Sequence, residues 1–174
     1  MQNRLQKMLF LLPAVLFFGG IAVAGAASAA TATATLSGVA GSPLSGTVSF
    51  TETSEGVDIV VAVEHAPPGV HGFHLHEKGD CSAADFTSTG GHFNPTGAAH
   101  GAPDAAAHHA GDYGNLTVGE DGKGELKLHS TMLTVVDGPN SVRGRGVILH
   151  EKADDLTTQP TGAAGGRIAC GVVK

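Results

Sequence analysis

The sequence predicts an all-β protein, an antiparallel sandwich or barrel of about eight short strands. Three observations carry that expectation. Short runs rich in Thr and Val recur at both ends of the chain, and the clearest repeats apolar residues along one face with a period of two. Twenty-six glycines and eight prolines, with no G-X-Y period, supply turns between them. No segment carries the periodicity of an amphipathic helix. A length of 174 residues fits one domain. With 41% hydrophobic and 15% charged residues the chain is far from the composition of a disordered one.

The elements follow in order. Arg4 and Lys7 precede an apolar run from Met8 to Ala24, then small residues to Ala30 with an A-x-A site at Ala27-Ser28-Ala29. Residues 1–29 are therefore expected to be a removed signal peptide, and residues 30–174 the mature domain. The run is near the lower limit for spanning a bilayer and is broken by Pro13, Gly19 and Gly20, which argues against a permanent anchor. The expected location is periplasmic or secreted, with no membrane attachment after cleavage. Strand patterns then occupy Thr31–Ser37, Gly46–Glu52 and Val57–Glu64, the last placing Val57, Ile59, Val61 and Val63 on one face. Further candidates are His71–Glu77, Gly114–Val118, Gly124–His129, Gly144–His150 and Arg167–Val173. Turn signals separate them at 41–43, 66–69, 120–122 and 137–140. Two stretches fit neither strand nor helix, Lys78 to Gly111 and Ala153 to Gly166. Loops of that length within one domain are usually functional.

Charge and composition narrow the function classes. One tyrosine, no tryptophan and a net charge of −6 exclude a base-stacking or phosphate-binding surface, so nucleic acid is not an expected partner. Loss of the leader would remove two basic residues and no acidic one, leaving eight against sixteen, or −8. Ten histidines equal all Lys and Arg together, and metal ligation is the first explanation to test. His74-Leu75-His76 lies in a strand pattern, so both imidazoles share a face while Phe73 and Leu75 take the other. His92, His100, His109, Asp112 and His150 follow. Three histidines and a carboxylate satisfy tetrahedral zinc, and an all-imidazole set suits copper. Six histidines and one aspartate exceed what one ion needs, which points to two metals. The two cysteines, Cys81 and Cys170, are expected to pair in an oxidising compartment. Such a bond closes a loop of about 90 residues, for which about 2–4 kcal/mol is typical.

Gly72-Phe-His-Leu-His-Glu-Lys-Gly-Asp80, Gly91-His-Phe-Asn-Pro95, His100-Gly, His109-Ala-Gly-Asp112, His150-Glu-Lys-Ala-Asp-Asp155 and Gly166-Arg-Ile-Ala-Cys-Gly171 together resemble the copper–zinc superoxide dismutase family. The placement of Cys81 five residues after His76 resembles the bacterial exported type. The resemblance implies an eight-stranded Greek-key fold with two long functional loops, and one copper and one zinc per subunit. Copper would be held by His74, His76, His92 and His150, and zinc by His92, His100, His109 and Asp112, with His92 bridging as an imidazolate. It further implies that Asp154 links His74 to His100 by hydrogen bonds, that Arg167 guides the superoxide anion, and that His92 carries a proton. Monomer and homodimer both stay open. His108 matches no ligand position, and His65, His71 and His129 are expected at the surface or at strand edges. Two other classes compete. A copper-binding protein without turnover would not need His100, His109, Asp112 and Arg167. A zinc hydrolase would need a base such as Glu77, Glu151 or Asp154 beside an open zinc position.

Overall fold

The computed structural model describes residues 28–174, so the expected leader lies, but for its last two residues, outside the described part. Eight strands are formed: β1 (Thr31–Gly38), β2 (Ser45–Glu52), β3 (Val57–Glu64), β4 (Gly69–His76), β5 (Asp112–Val118), β6 (Gly124–Ser130), β7 (Gly146–His150) and β8 (Arg167–Val172). They close into one antiparallel barrel in the order β1-β2-β3-β6-β5-β4-β7-β8. The connections from β3 to β4 and from β6 to β7 skip neighbours, which is the Greek-key crossover. Among the described residues, no helix is long and apolar enough to cross a membrane.

Alternation sets the register. In β1, Ala32, Ala34 and Leu36 face inward between exposed threonines, and in β3 Val57, Ile59, Val61 and Val63 do the same. Phe50, Phe73, Leu75, Leu116, Val147 and Leu149 complete the core. Full burial of each such side chain contributes about 1.5–3 kcal/mol. β4 and β7 differ from β1 and β3 in being buried on both faces along most of their length. Their second face lies under the two long loops.

Strand ends depart from the sequence pattern where backbone geometry intervenes. β5 begins at Asp112 rather than Gly114, because Asp112 pairs with His74 beyond a register shift between Gly72 and His74. β7 begins at Gly146 rather than Gly144, which has φ 73° and belongs to the preceding turn. The loop over residues 77–111 contains one 3₁₀ turn, Thr87–Thr89. It is fastened to the barrel by the Cys81–Cys170 disulfide, which spans 89 residues of sequence. Phe86, Ile148 and Cys170 form a small apolar cluster around that bond. The fastening brings the loop over the outward face of β4 and β7, where the histidines stand.

Candidate metal centre

On β4, Phe73 and Leu75 enter the core while His74 and His76 face outward, and all four are fully or almost fully buried. His150 ends β7, and His92 follows the 3₁₀ turn, bridging to His76 in an isolated β-pair. One ligand atom from each of His74, His76, His92 and His150 can be chosen so that all lie within 4.8 Å of one another. The same holds for His92, His100, His109 and Asp112, so His92 belongs to both groups.

The hydrogen-bond pattern tests whether these groups suit a metal. His74 Nδ1, His76 Nε2, His92 Nε2 and His150 Nε2 are buried and have no hydrogen-bond partner. Four orphaned polar atoms in one place would each cost about 1–3 kcal/mol if nothing else bound them. The opposite nitrogens are engaged. His74 Nε2 is 2.7 Å from Asp154 Oδ2, and His76 Nδ1 is 2.9 Å from the Gly90 carbonyl. His92 Nδ1 is 2.7 Å from Asp112 Oδ1, and His150 Nδ1 is 3.3 Å from the Gly165 carbonyl. For His74, His76 and His150, outer partners of this kind fix tautomer and ring orientation for a ligand atom on the other side, whereas the Asp112 contact of His92 belongs to the second group.

The second group converges on one oxygen. His92 Nδ1, His100 Nδ1 and His109 Nδ1 lie 2.7, 3.0 and 3.1 Å from Asp112 Oδ1. His100 Nδ1 nonetheless lacks hydrogen-bond geometry to any partner. Donors about 2.0–2.1 Å from a tetrahedral ion lie about 3.3 Å apart, so this packing is what such an ion requires. Asp112 Oδ2 is held by the backbone N–H groups of Gly101 at 3.1 Å and His109 at 2.8 Å. Both groups therefore fit a bound cation.

Electrostatics agrees. Burial lowers His74 well below the usual imidazole value, lowers His76 to about 2 and His150 to about 4, with neighbouring imidazoles adding to the effect. These rings are neutral at pH 7, with lone pairs available. Burial alone would raise Asp112, but hydrogen bonds from His92, His109 and Gly101 outweigh it and hold the carboxyl below its ordinary range. Metal ligands must be deprotonated, and these are.

Asp154 joins the two groups from behind: it lies 2.7 Å from His74 Nε2 and 3.0 Å from His100 Nε2. Its own backbone N–H donates to Asn115 Oδ1 at 2.8 Å, and its carbonyl accepts from Asn115 Nδ2 at 2.9 Å. Gly162 packs against it with φ 67°, where a Cβ would fall 1.8 Å from the Asp154 carboxyl. Only glycine fits there. Arg167, at the start of β8, donates to the carbonyls of Phe86 and Gly90, both at 2.7 Å, and to Thr89 Oγ1 at 2.8 Å. The Gly90 carbonyl is the one that also orients His76, so the guanidinium sits beside the all-imidazole group.

Sequence reasoning did not single out Thr89, Gly90, Asn115, Gln159 or Gly162. Gln159 clasps His100 through its backbone, accepting from the N–H at 2.8 Å and donating to the carbonyl at 2.9 Å. None of these positions carries a chemical signal of its own. His71 corrects an expectation. It is buried, with its ring nitrogens each 2.9 Å from the carbonyls of His150 and Pro67, so it braces the end of β7. His65 and His129 are exposed, and His108 belongs to neither ligand group.

The family model for copper/zinc superoxide dismutase (SODC) matches residues 44–173. The chain belongs to that family. Among solved structures it is similar to the clock protein EA4, at 40% identity and TM-score 0.75 over 86% of this chain and 96% of that one. It is also similar to a SOD-like protein from Bacillus subtilis, solved as a double mutant in which a tyrosine and a proline are each replaced by histidine. That match has 39% identity and TM-score 0.73, over 80% of this chain and 95% of that one. The names of these relatives do not all describe an enzyme, so what this chain does has to be argued from its own site.

Proposed function

We propose that the protein dismutates superoxide, using copper held by His74, His76, His92 and His150 beside zinc held by His92, His100, His109 and Asp112. The observation that supports this most is that both ligand groups are complete and share His92. Copper, when bound, supplies the one-electron chemistry that oxidises one superoxide to O₂ and reduces the next to H₂O₂. The protein's residues do the rest. The His92 ring presents one nitrogen to each group, so it can serve as an imidazolate between two cations or carry a proton on Nε2. Asp154 fixes the rings of His74 and His100 together, so loss of order in one group disturbs the other. Arg167 offers a positive charge to an anion approaching the outer side of the copper group, and its three hydrogen bonds hold it there.

A zinc hydrolase is disfavoured because the carboxylate group already offers four protein donors and leaves no open position. A copper-binding protein without turnover is the remaining competitor. The complete second group and the fixed Arg167 favour the enzyme. The periplasm or the medium is the proposed location, and superoxide the proposed substrate. Metal analysis of the exported protein, paired with a superoxide-consumption assay, tests the reading. One copper and one zinc per chain with consumption supports it; copper alone or zinc alone, without consumption, overturns it.

A further inference from the structure

His92, the ligand shared by both groups, is followed by Phe93, and Phe93 is where the long loop is strapped to the barrel. The Phe93 N–H donates to the Leu75 carbonyl at 2.8 Å, and the Phe93 carbonyl accepts from the Gly111 N–H at 2.9 Å. The Leu75 N–H closes the triangle by donating to the Gly111 carbonyl at 2.9 Å. β4 is thereby joined to the segment carrying His92 and to the one carrying His109 and Asp112. The strap has no slack: a Cβ on Gly111 would lie 2.2 Å from the Leu75 carbonyl oxygen and 3.0 Å from the Phe93 nitrogen. Any tilt of Phe93 carries His92 with it.

One guanidinium holds the buried Phe93 ring. Arg145, directly before β7, has its Cζ 3.2 Å from the centroid of that ring. Its Nε donates to the Ser141 carbonyl at 2.6 Å and its Nη2 to the Pro139 carbonyl at 3.2 Å, so the side chain is anchored in the turn leading into β7. Nη1 reaches across to the Glu77 carbonyl at 3.2 Å, one residue past His76. The Glu77 N–H in turn donates to the Gly91 carbonyl at 3.0 Å, one residue before His92. A single side chain thus touches the residue that follows each of two ligands. A planar fork that bonds carbonyls while stacking on a ring is a task that lysine, a compact charge on a flexible stem, cannot take over.

We propose that Arg145 is a positioning residue for His92, acting through the Phe93 ring and the Glu77 carbonyl. The proposal rests on the two ligand groups and not on turnover. Arg143, two residues earlier, supplies the contrast. It donates to the carbonyls of Val135 and Thr31, so it braces the same turn without touching the metal loop.

The test compares the full chain with Arg145→Lys, Phe93→Leu, the double variant and Arg143→Lys. Amide hydrogen exchange is measured first, in the metal-free proteins. Arg145→Lys should speed exchange at Phe93 and Gly111 by about 2–30-fold relative to β3, the range that loss of a cation–π contact spans. The proteins are then loaded with copper and zinc. Arg145→Lys should alter the copper EPR spectrum and weaken zinc by a similar factor in chelator competition, and the double variant should add little to either single one. Arg143→Lys should match the parent in all three readings even where its melting temperature falls. An Arg145→Lys protein with parental exchange and a parental copper spectrum would overturn the proposal, whatever its melting temperature. So would equal effects from Arg143→Lys, or additive effects in the double variant. A parent that binds neither metal would overturn the ligand groups instead, and the metal-free exchange would still decide the role of Arg145.

Discussion

The two ligand groups share His92 and Asp154, yet they are held in different ways. The group around Asp112 contains its own anion: three imidazole nitrogens crowd one carboxylate oxygen, and backbone N–H groups hold the other. The group on β4 and β7 has no carboxylate among its four donors. Each ring has one orphaned nitrogen, burial pushes His74, His76 and His150 toward neutrality, and the Arg167 guanidinium is held beside the group through the Gly90 carbonyl. One group is built to hold a cation tightly and be covered. On the proposed reading, the other would hold a cation with imidazole donors while an anion comes close. A fixed positive charge beside four neutral ligands is poorly suited to storage and well suited to attracting a small anion.

The largest effect should come from breaking the shared residue. His92→Ala is expected to lower occupancy of both metals, whereas His150→Ala should lower copper and spare zinc; metal analysis and the copper absorption spectrum read this directly. Unchanged zinc in His92→Ala would separate the groups. Next comes the charge that distinguishes them. Arg167→Glu should retain both metals but lose rate by about 10–10³-fold, with Arg167→Ala between it and the parent. Rates of the parent should fall as salt rises, since the Debye length is about 10 Å at 0.1 M, and the Glu variant should lose or reverse that fall. Equal salt slopes in all three proteins would show that Arg167 guides nothing.

Asp154→Asn should weaken zinc by about 10–100-fold without removing a donor, read by chelator competition; wild-type affinity would take Asp154 out of the zinc group's support. The smallest effect concerns the loop that carries Asp154. Hydrogen bonds from Thr158 and Thr157 lower Asp155 to about 2. A depressed carboxyl contributes stability that is complete above its unfolded value, near 4, and is lost as pH falls through about 2. Thermal melts should show Asp155→Asn slightly less stable than the parent at pH 6, with the gap closing by pH 2. A gap that persists at pH 2 would mean another cause.

Legibility followed the same division. β1, β2 and β3 could be read from alternation because one face meets water and the other the core. His74, His76, His92, His100, His109, Asp112 and His150 could be read as metal-ligand chemistry because imidazole and carboxylate have few other reasons to cluster. β4 and β7 lose that alternation once loops cover their outer face, and the loops themselves follow no period. Thr89, Gly90 and Gln159 act through backbone carbonyls, N–H groups and a hydroxyl, which any sequence offers in many places. His71 looked like a strand-edge residue because its two carbonyl partners come from Pro67 and His150, a relation only the closed barrel creates.

The central claim is turnover, and stopped-flow decay of superoxide tests it most directly. The fully loaded protein is mixed with a large molar excess of superoxide, and O₂ and H₂O₂ are measured at the end. The account predicts that all superoxide disappears with a rate proportional to protein, yielding O₂ and H₂O₂ in equal amounts, and that protein carrying zinc alone leaves the spontaneous decay unchanged. Decay that slows to the spontaneous rate after about one equivalent per copper would contradict it, and would make the chain a metal-binding member of its family rather than an enzyme.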